Sequence, residues 1–209
     1  MKQFAKKIKH VLVKPKDFFK QVKQEKGFME PLKYLFLFLL ITQIFMVFYY
    51  FENYFDKFNL ELELNLLNYI IVYAITTILT IFISFIRPAL TNIFIRLFSK
   101  DHKLEDTYKG MVYGLTPDYV ATPFFVVTMI FLSATILLKN NWLLILFIIS
   151  AIITLAAAIY TTILRIYGIA KLHKISFWIA FLCVYIFPVI LILLFEIIVL
   201  TIVFLIILL

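Results

Sequence analysis

The sequence predicts an all-α fold: a polytopic membrane helix bundle with five transmembrane helices and an N-terminal amphipathic surface helix. Of the 209 residues, 64% are hydrophobic and 15% are charged. So few charges cannot cover the surface of a soluble domain of this length. Apolar runs of about 20 residues, the length that crosses hydrocarbon, recur along the chain. Basic residues are concentrated in alternate connecting segments, as in multi-pass membrane proteins.

The apolar runs divide the chain into a basic arm, residues 1–33, and a transmembrane domain, residues 34–209. The predicted spans are 34–51, 66–86, 117–138, 142–167 and 177–209. The second run has an apolar extension to Phe98 and the fifth is longer than a bilayer requires, so four and six spans remain competing counts. Pro188 can kink the last span, which leaves open one long kinked span or a re-entrant or interfacial tail.

Basic residues predict the orientation of these spans. Three segments, before span one, between spans two and three and between spans four and five, hold 18 of the 20 Lys and Arg residues when the flanking ends of their helices are included. The other loops and ends keep only Lys57 and Lys139. The positive-inside rule therefore predicts a cytoplasmic N-terminus and an external C-terminus. The Lys, Ile and Phe excess is compatible with a prokaryote, whose plasma membrane is the expected location.

The arm contains a predicted surface helix within "KPKDFFKQVKQEKGFMEP". Pro15 stands at a helix-start position and Gly27 at a C-cap position. One helical face is apolar and lysines surround it, so we expect this helix on the membrane, apolar face down, near anionic headgroups. The predicted lipid-surface residues are Lys16, Phe18, Phe19, Lys20 and Lys23. Residues 1–13 fit either a surface helix or a solvated basic tail.

No motif of catalysis or nucleotide binding is present in the sequence. It has no glycine-rich phosphate loop, no G-x-S-x-G and no H-E-x-x-H. The histidines, His10, His102 and His173, are far apart along the chain. We therefore expect no catalytic residue, no metal site, no cofactor, no enzyme activity and no nucleic-acid partner.

Ionisable residues within the apolar runs form the candidate intramembrane polar or structural site, because charges are costly in lipid and are commonly functional there. They are Arg87, Asp118, Arg165 and Glu196. Three of them fall near the cytoplasmic boundary, where Asp118 is expected to pair with Arg87 or Arg165. Glu196 lies toward the outer leaflet, and whether it shares a polar cavity with Asp118 is open.

The start of span three is marked by "VYGLTPDYVATPFF". Thr116 is a predicted N-cap, Pro117 fits the first helical position, and Asp118 favours the positive end of the helix dipole. The preceding "YKGMVYGL" is expected to lie against the membrane, and Pro123 to kink the first turns. The candidate motif residues of this region are Tyr113, Gly114, Pro117 and Pro123.

Span four carries small residues at every fourth position, which allow helices to approach closely. They are Ser150, Thr154, Ala158 and Thr162. This pattern predicts a central place in the bundle or an oligomer interface, and the sequence leaves both open.

Three segments together resemble the Yip family of Ypt/Rab-interacting membrane proteins in its short prokaryotic form. They are "KPKDFFKQVKQEKGFMEPLKYL", "TYKGMVYGLTP" and "IYGIAKLHKISFWIAF". The resemblance implies a five-span bundle with a cytoplasmic N-terminus and a non-enzymatic role. Eukaryotic relatives act in vesicle trafficking, membrane shaping and recruitment of lipidated small GTPases, but this chain lacks their long acidic arm.

The expected function is a membrane-organising scaffold or adaptor. Its expected partners are membrane lipids with anionic headgroups on the cytoplasmic face, a cytoplasmic protein, or a second copy in a homo-oligomer. The alternative is a small transporter or channel that uses Asp118 and Glu196, because discontinuous helices often form substrate sites. A polar cavity joining these two carboxyl groups would favour the alternative.

Overall fold

In the computed structural model, residues 2–50, 66–138 and 141–208 are described, and helices dominate those ranges. Lys57 and Lys139, the two basic residues predicted to lie on the external side, are outside these ranges. The elements are α1 (Lys2–Val13), α2 (Pro15–Val22), α3 (Met29–Tyr50), α4 (Leu66–Ile95), α5 (Leu104–Gly114), α6 (Thr116–Leu138), α7 (Asn141–His173), α8 (Phe177–Phe181), a π-helix (Leu182–Ile186) and α9 (Phe187–Leu208).

The chain is a multi-pass membrane helix bundle, as predicted. Within the described ranges, the segments long and apolar enough to cross a membrane are Ile70–Ile95, Leu104–Ile136, Asn141–His173 and Phe177–Ile197. Helix α3 corresponds to the predicted first span, and the count of five spans stays a prediction.

The arm folds into two short helices and a turn. Helix α2 begins at Pro15, the predicted first helical position, where a missing N–H costs nothing. It ends at Val22, before the predicted C-cap. Gly27 lies farther on, in the turn to α3, with a left-handed φ of 74°. Its N–H donates to Glu105 Oε2 at 2.8 Å, which ties this turn to α5.

Helix α5 occupies the interior of the bundle, where the sequence predicted a segment lying against the membrane. Its residues from Asp106 to Gly114 are all buried. The helix packs against α7, α4 and α3. That prediction was wrong because the polar groups of α5 find partners in the arm, which is distant in sequence and close in space.

Close approach of α5, α7 and α2 depends on three glycines, which we call the glycine seam: Gly110, Gly114 and Gly168. A Cβ at Gly114 would lie 2.6 Å from Arg165 Cγ and 2.8 Å from Arg165 Cα. A Cβ at Gly168 would lie 2.7 Å from Phe19 Cζ and 3.3 Å from Gly110 Cα. Side chains are therefore excluded at these crossings.

Helix α7 is central to the bundle and packs most extensively against α6. The hydroxyls of its small-residue stripe bond within the helix: Ser150 donates to Phe147 O and Thr154 to Ser150 O. A bond between helices comes from a neighbouring position, since Asp118 N–H donates to Thr161 Oγ1 at 3.1 Å. The stripe thus allows contact with α6 through its small size.

The last helical segment runs without a break from Phe177 to Leu208. Ser176 caps its start by accepting the Ile179 N–H at 3.3 Å. The π-helix Leu182–Ile186 comes just before Pro188. A proline ring crowds the carbonyl of the preceding turn, and a wider π turn relieves that crowding. The C-terminal segment is therefore one helix with a local π insertion.

Candidate functional site

The arm belongs to the protein core at one end of the bundle, which we call the arm end. Phe18 and Phe19 are 3% and 0% exposed, and the Phe18 ring packs edge-on to Tyr113 at 5.0 Å. The prediction that these two rings enter lipid was wrong. An amphipathic face shows only that a helix buries one side, and here the buried side meets α5 and α7.

Polar contacts at Glu25 fix the arm to α5. The Glu25 carboxylate accepts from Lys7 Nζ at 3.0 Å and from Tyr113 Oη at 2.9 Å. The Glu25 carbonyl accepts from Lys109 Nζ at 2.6 Å. Lys109 is fully buried and also pairs with Asp106 at 3.0 Å. These five residues form the Glu25 cluster, which supplies hydrogen-bond acceptors to the buried ammonium group of Lys109.

A cleft of about 580 Å³ opens between α2 and the end of α7. We call it the basic cleft, and its lysines are Lys20, Lys23, Lys171 and Lys174. Its other walls are Phe19, Tyr167, Ala170, Ile175 and Phe177. A surface that combines cationic groups with apolar and aromatic side chains matches an anionic amphiphile.

The end of α7 sets the position of two cleft lysines. Lys174 adopts a left-handed φ of 56°, and the Ile175 N–H donates to Ala170 O at 3.1 Å. This pattern is a Schellman C-cap, where glycine is the usual residue. A lysine in this conformation carries a modest backbone cost. The tight turn brings Lys174 and Lys171 to the same cleft.

Asp101 balances part of the positive charge at the cleft. Its carboxylate lies 3.3 Å from Lys174 Nζ and 3.7 Å from Lys23 Nζ. Hydrogen bonding and charge from Lys174, followed by the charge of Lys23, lower the pKa of Asp101 below its ordinary value. Lys23 Nζ also donates to Leu172 O at 2.8 Å. Lys20 and Lys171 make no hydrogen bond or ion pair with the described residues, so their charges are available to a ligand.

A chain of hydrogen bonds holds the Asp101 loop against the helices. Asn92 of α4 bonds Thr107 of α5 at 2.8 Å, and Thr107 bonds His173 Nε2 at 3.0 Å. His173 Nδ1 donates to the Asp101 carbonyl. Asn92, Thr107 and His173 are all buried, so α4, α5, α7 and the loop are fixed together.

Asp118 does not form the ion pair with an arginine that the sequence predicted. No ion pair joins it to Arg87 or Arg165, although all three residues are within the described ranges. Asp118 instead lines a cavity of about 320 Å³, and neither arginine is in its lining. The polar residues lining that cavity are Thr42, Gln43, Thr80, Asp118, Thr122 and Thr154.

Glu196 and Asp118 do not share a cavity. Glu196 is exposed on α9 and is absent from the lining of the Asp118 cavity. Arg165 is 9% exposed on α7, and Arg87 on α4 places its Cζ 5.6 Å from the Tyr185 ring centroid. The four predicted intramembrane residues therefore separate into an arginine pair and two unconnected carboxyl groups.

The Yip1 domain family model matches residues 9–208 of the chain. The chain belongs to the Yip1 family. The match confirms the resemblance seen in the three sequence segments. No curated protein and no solved structure matches the chain.

The four predicted motif residues of this Yip1 chain lie in α5 and α6. Tyr113 is buried against Glu25, and Gly114 contacts Arg165. Pro117 is in the first turn of α6, and Pro123 lies inside that helix, which continues through it.

The hydroxyl of Thr116, the predicted N-cap of α6, bonds to residues of α5 and α3. The Thr116 hydroxyl donates to the Tyr113 carbonyl at 2.6 Å and lies 2.9 Å from the Tyr34 hydroxyl. The first turn is closed by the Tyr119 N–H donating to Leu115 O at 3.1 Å. Thr116 therefore joins α5, α6 and α3.

Sequence reasoning missed the residues that complete the basic cleft of this Yip1 chain. Lys171 and Lys174 entered only as charges that set orientation. These lysines stand in "KLHKISF", which has no glycine to mark the end of α7. Nothing in this stretch of sequence indicates that they meet α2. In the described part of the chain, no group of three or more His, Cys, Asp or Glu side chains is placed to hold a metal ion.

Proposed function

We propose that this Yip1-family chain is a non-enzymatic scaffold or adaptor that organises membranes by binding anionic lipid headgroups in the basic cleft. The observation that supports the proposal is the meeting of four lysines with an aromatic wall in one cleft. Each basic group near an anionic surface contributes about 1 kcal/mol to membrane attraction.

The lysines of the cleft differ in their availability. Lys23 and Lys174 already face Asp101, whereas Lys20 and Lys171 make no ion pair with the described residues. A lipid phosphate or carboxylate entering the cleft would therefore contact the second pair. The adjoining Tyr167 and Phe177, which are partly exposed and exposed, respectively, offer apolar surface to the glycerol and upper acyl chain.

The location of the cleft agrees with this proposal. The positive-inside rule predicts that the arm end is cytoplasmic, and the membrane in this proposal is a prokaryotic plasma membrane, whose anionic lipids attract basic segments. In the adaptor form of the proposal, a cytoplasmic protein partner or a second copy of the chain binds the outer face of the arm.

Titration of the purified protein with phosphatidylglycerol tests the proposal, with phosphatidylcholine as the zwitterionic comparison. The double variant Lys20→Gln/Lys171→Gln should lower phosphatidylglycerol affinity roughly 30-fold, since it removes two unpaired charges. The matched control Lys16→Gln/Lys26→Gln removes the same charge from exposed arm positions outside the cleft. Equal losses in the two double variants, or no preference for phosphatidylglycerol in the unmodified protein, would contradict a cleft-specific role.

A small transporter or channel is the second candidate, and the Asp118 cavity is the observation that favours it. Proteoliposome flux of monovalent cations tests it. In a transporter that uses this cavity, Asp118→Asn abolishes flux, whereas Glu196→Gln, outside the cavity, leaves flux unchanged. Absence of flux in the unmodified protein rejects this candidate for those cations.

A further inference from the structure

Arg165 is a buried cation for which the described part of the chain supplies no acceptor. Its side chain emerges where Gly114 packs directly on the Arg165 backbone, and the residue is only 9% exposed. Among residues 2–50, 66–138 and 141–208, the Nε atom has no hydrogen-bond partner, and it is buried. No ion pair from these residues reaches its guanidinium. Burying an unpaired guanidinium is costly, so the site calls for an anion from outside the chain.

A second guanidinium, that of Arg87 on α4, lies over the Tyr185 ring, and Tyr185 packs against the buried cluster that contains Ile166, the neighbour of Arg165 in the chain. Arg87 makes no ion pair with the described residues either, and its Cζ lies 5.6 Å from the centroid of the Tyr185 ring. The Tyr185 hydroxyl is buried, and none of the described residues is its hydrogen-bond partner. Helices α4 and α7 and the π-helix thus direct unsatisfied donors to one region.

The depth of this region identifies the source of the anion. From Leu66 to Arg87 is about 31 Å along α4, and from Asn141 to Arg165 is about 36 Å along α7, at the helical rise. A hydrocarbon core is about 30 Å thick, so both arginines reach its boundary at the arm end. The lipid phosphates lie at this level. Arginine binds phosphate in a planar, two-pronged geometry that matches its oxygens.

We propose that Arg87, Arg165 and Tyr185 bind the phosphodiester group of a membrane phospholipid. The acyl chains lie along the exposed apolar residues of α4 and α9, such as Ile83, Ile86 and Val189. This arginine site is separate from the basic cleft and does not depend on it. The cleft selects net negative charge, whereas the arginine site selects the phosphodiester that zwitterionic and anionic phospholipids share.

Native mass spectrometry of the protein in mild detergent tests this site with phosphatidylethanolamine and with a galactolipid that has no phosphate. The unmodified protein should retain phosphatidylethanolamine and release the galactolipid. Arg87→Gln removes an exposed side chain and should lower occupancy roughly tenfold, as loss of a charged hydrogen bond predicts. Equal retention of both lipids, or retention unchanged in Arg87→Gln, overturns the proposal.

Thermal unfolding separates lipid binding from a structural role of Arg165. Arg165→Gln should unfold at a higher temperature than the unmodified protein when both are delipidated, because a buried charge without an acceptor in the described part of the chain is removed. It should also lose the stabilisation by added phosphatidylethanolamine. Destabilisation of the delipidated variant with the lipid response retained would overturn the proposal.

Two further comparisons identify the source of the bound phosphate group and distinguish the arginine site from the basic cleft. If inorganic phosphate stabilises the protein as phosphatidylethanolamine does, the anion is a soluble phosphate and the lipid assignment is wrong. The variant Lys20→Gln/Lys171→Gln should retain phosphatidylethanolamine fully. A failure of the basic-cleft function would leave that result unchanged, so the two proposals fail separately.

Discussion

The two ends of the helix bundle bury their side chains to very different degrees. At the arm end, Phe19, Tyr108, Tyr113 and Lys109 are almost completely enclosed by protein. Toward the other end, large apolar side chains are open to their surroundings, for example Ile78 at 67%. Lipid is as apolar as these side chains, so their exposure carries no penalty and little drives them together. Dense packing is needed only where the chain meets water.

Hydrogen bonds show the same contrast. In the spanning helices, the hydroxyls of Thr76, Thr80 and Thr128 donate to carbonyls of their own helix. At the arm end, the bonds of Glu25 and His173 join elements far apart in sequence. The spanning helices are also joined by side-chain bonds, such as Gln43 Nε2 to Thr80 Oγ1 and Tyr73 Oη to Leu40 O, but the arm end carries the network that joins several elements.

Truncation of a buried ring gives the largest expected difference between the two ends. Phe19→Ala should lower the free energy of unfolding by roughly 3–5 kcal/mol, because it empties a fully enclosed site against Gly168. Phe82→Ala is the matched control, since Phe82 is 65% exposed, and should cost less than about 0.5 kcal/mol. Thermal or denaturant unfolding in detergent micelles measures both. Similar losses in the two variants would show that the arm end is no more tightly packed.

Addition of one methyl group tests the glycine seam and should have an intermediate effect. Gly114→Ala places a Cβ against Arg165 backbone atoms and should cost roughly 1–3 kcal/mol of unfolding free energy. Gly110→Ala mainly meets the movable Ile169 Cδ1, 2.8 Å away, so it should cost less. The same unfolding assay ranks the two, and a reversed order would mean that α5 and α7 separate more easily than their packing indicates.

The smallest expected effect concerns Asp101 at the edge of the basic cleft. Lys174 and then Lys23 lower the pKa of Asp101. This ion pairing therefore stabilises the fold at pH values above 3.8, the ordinary pKa of the aspartate carboxyl group. That contribution is lost as the pH falls through the lowered folded-state pKa. At neutral pH, Asp101→Asn should increase phosphatidylglycerol affinity about threefold, because Lys23 and Lys174 lose a competing anion. Weaker binding in the lipid titration would contradict the balancing role of Asp101.

The sequence was sufficient to predict features that depend on local chemistry. Apolar runs predicted the helical membrane bundle, and Pro15 predicted the start of α2. Gly27 was expected at a glycine-requiring turn, and its φ of 74° agrees, although α2 ends earlier. These features follow from hydropathy and from backbone sterics, which a short window of sequence contains.

Features that depend on helix rotation and long-range contact could not be predicted. Asp118 lines the cavity of about 320 Å³ and Arg165 does not, and the neighbour that a side chain faces depends on helix rotation, which the sequence does not give. Phe18 and Phe19 form an apolar face whose pattern is the same for lipid and protein contacts. Lys109 lies 84 residues from Glu25, whose carbonyl it needs. A single sequence contains no signal for a partner at that distance.

The bond from Lys109 to the Glu25 carbonyl also determines what the arm can do. If the arm detached, Lys109 and Tyr113 would lose their bonds to Glu25, and the buried rings of Phe18 and Phe19 would be exposed. Exposing two such rings costs several kcal/mol. The arm is therefore a fixed part of the fold and cannot search for targets as a free tether. Any molecule that the arm recognises meets a preformed surface and pays no entropy for ordering it.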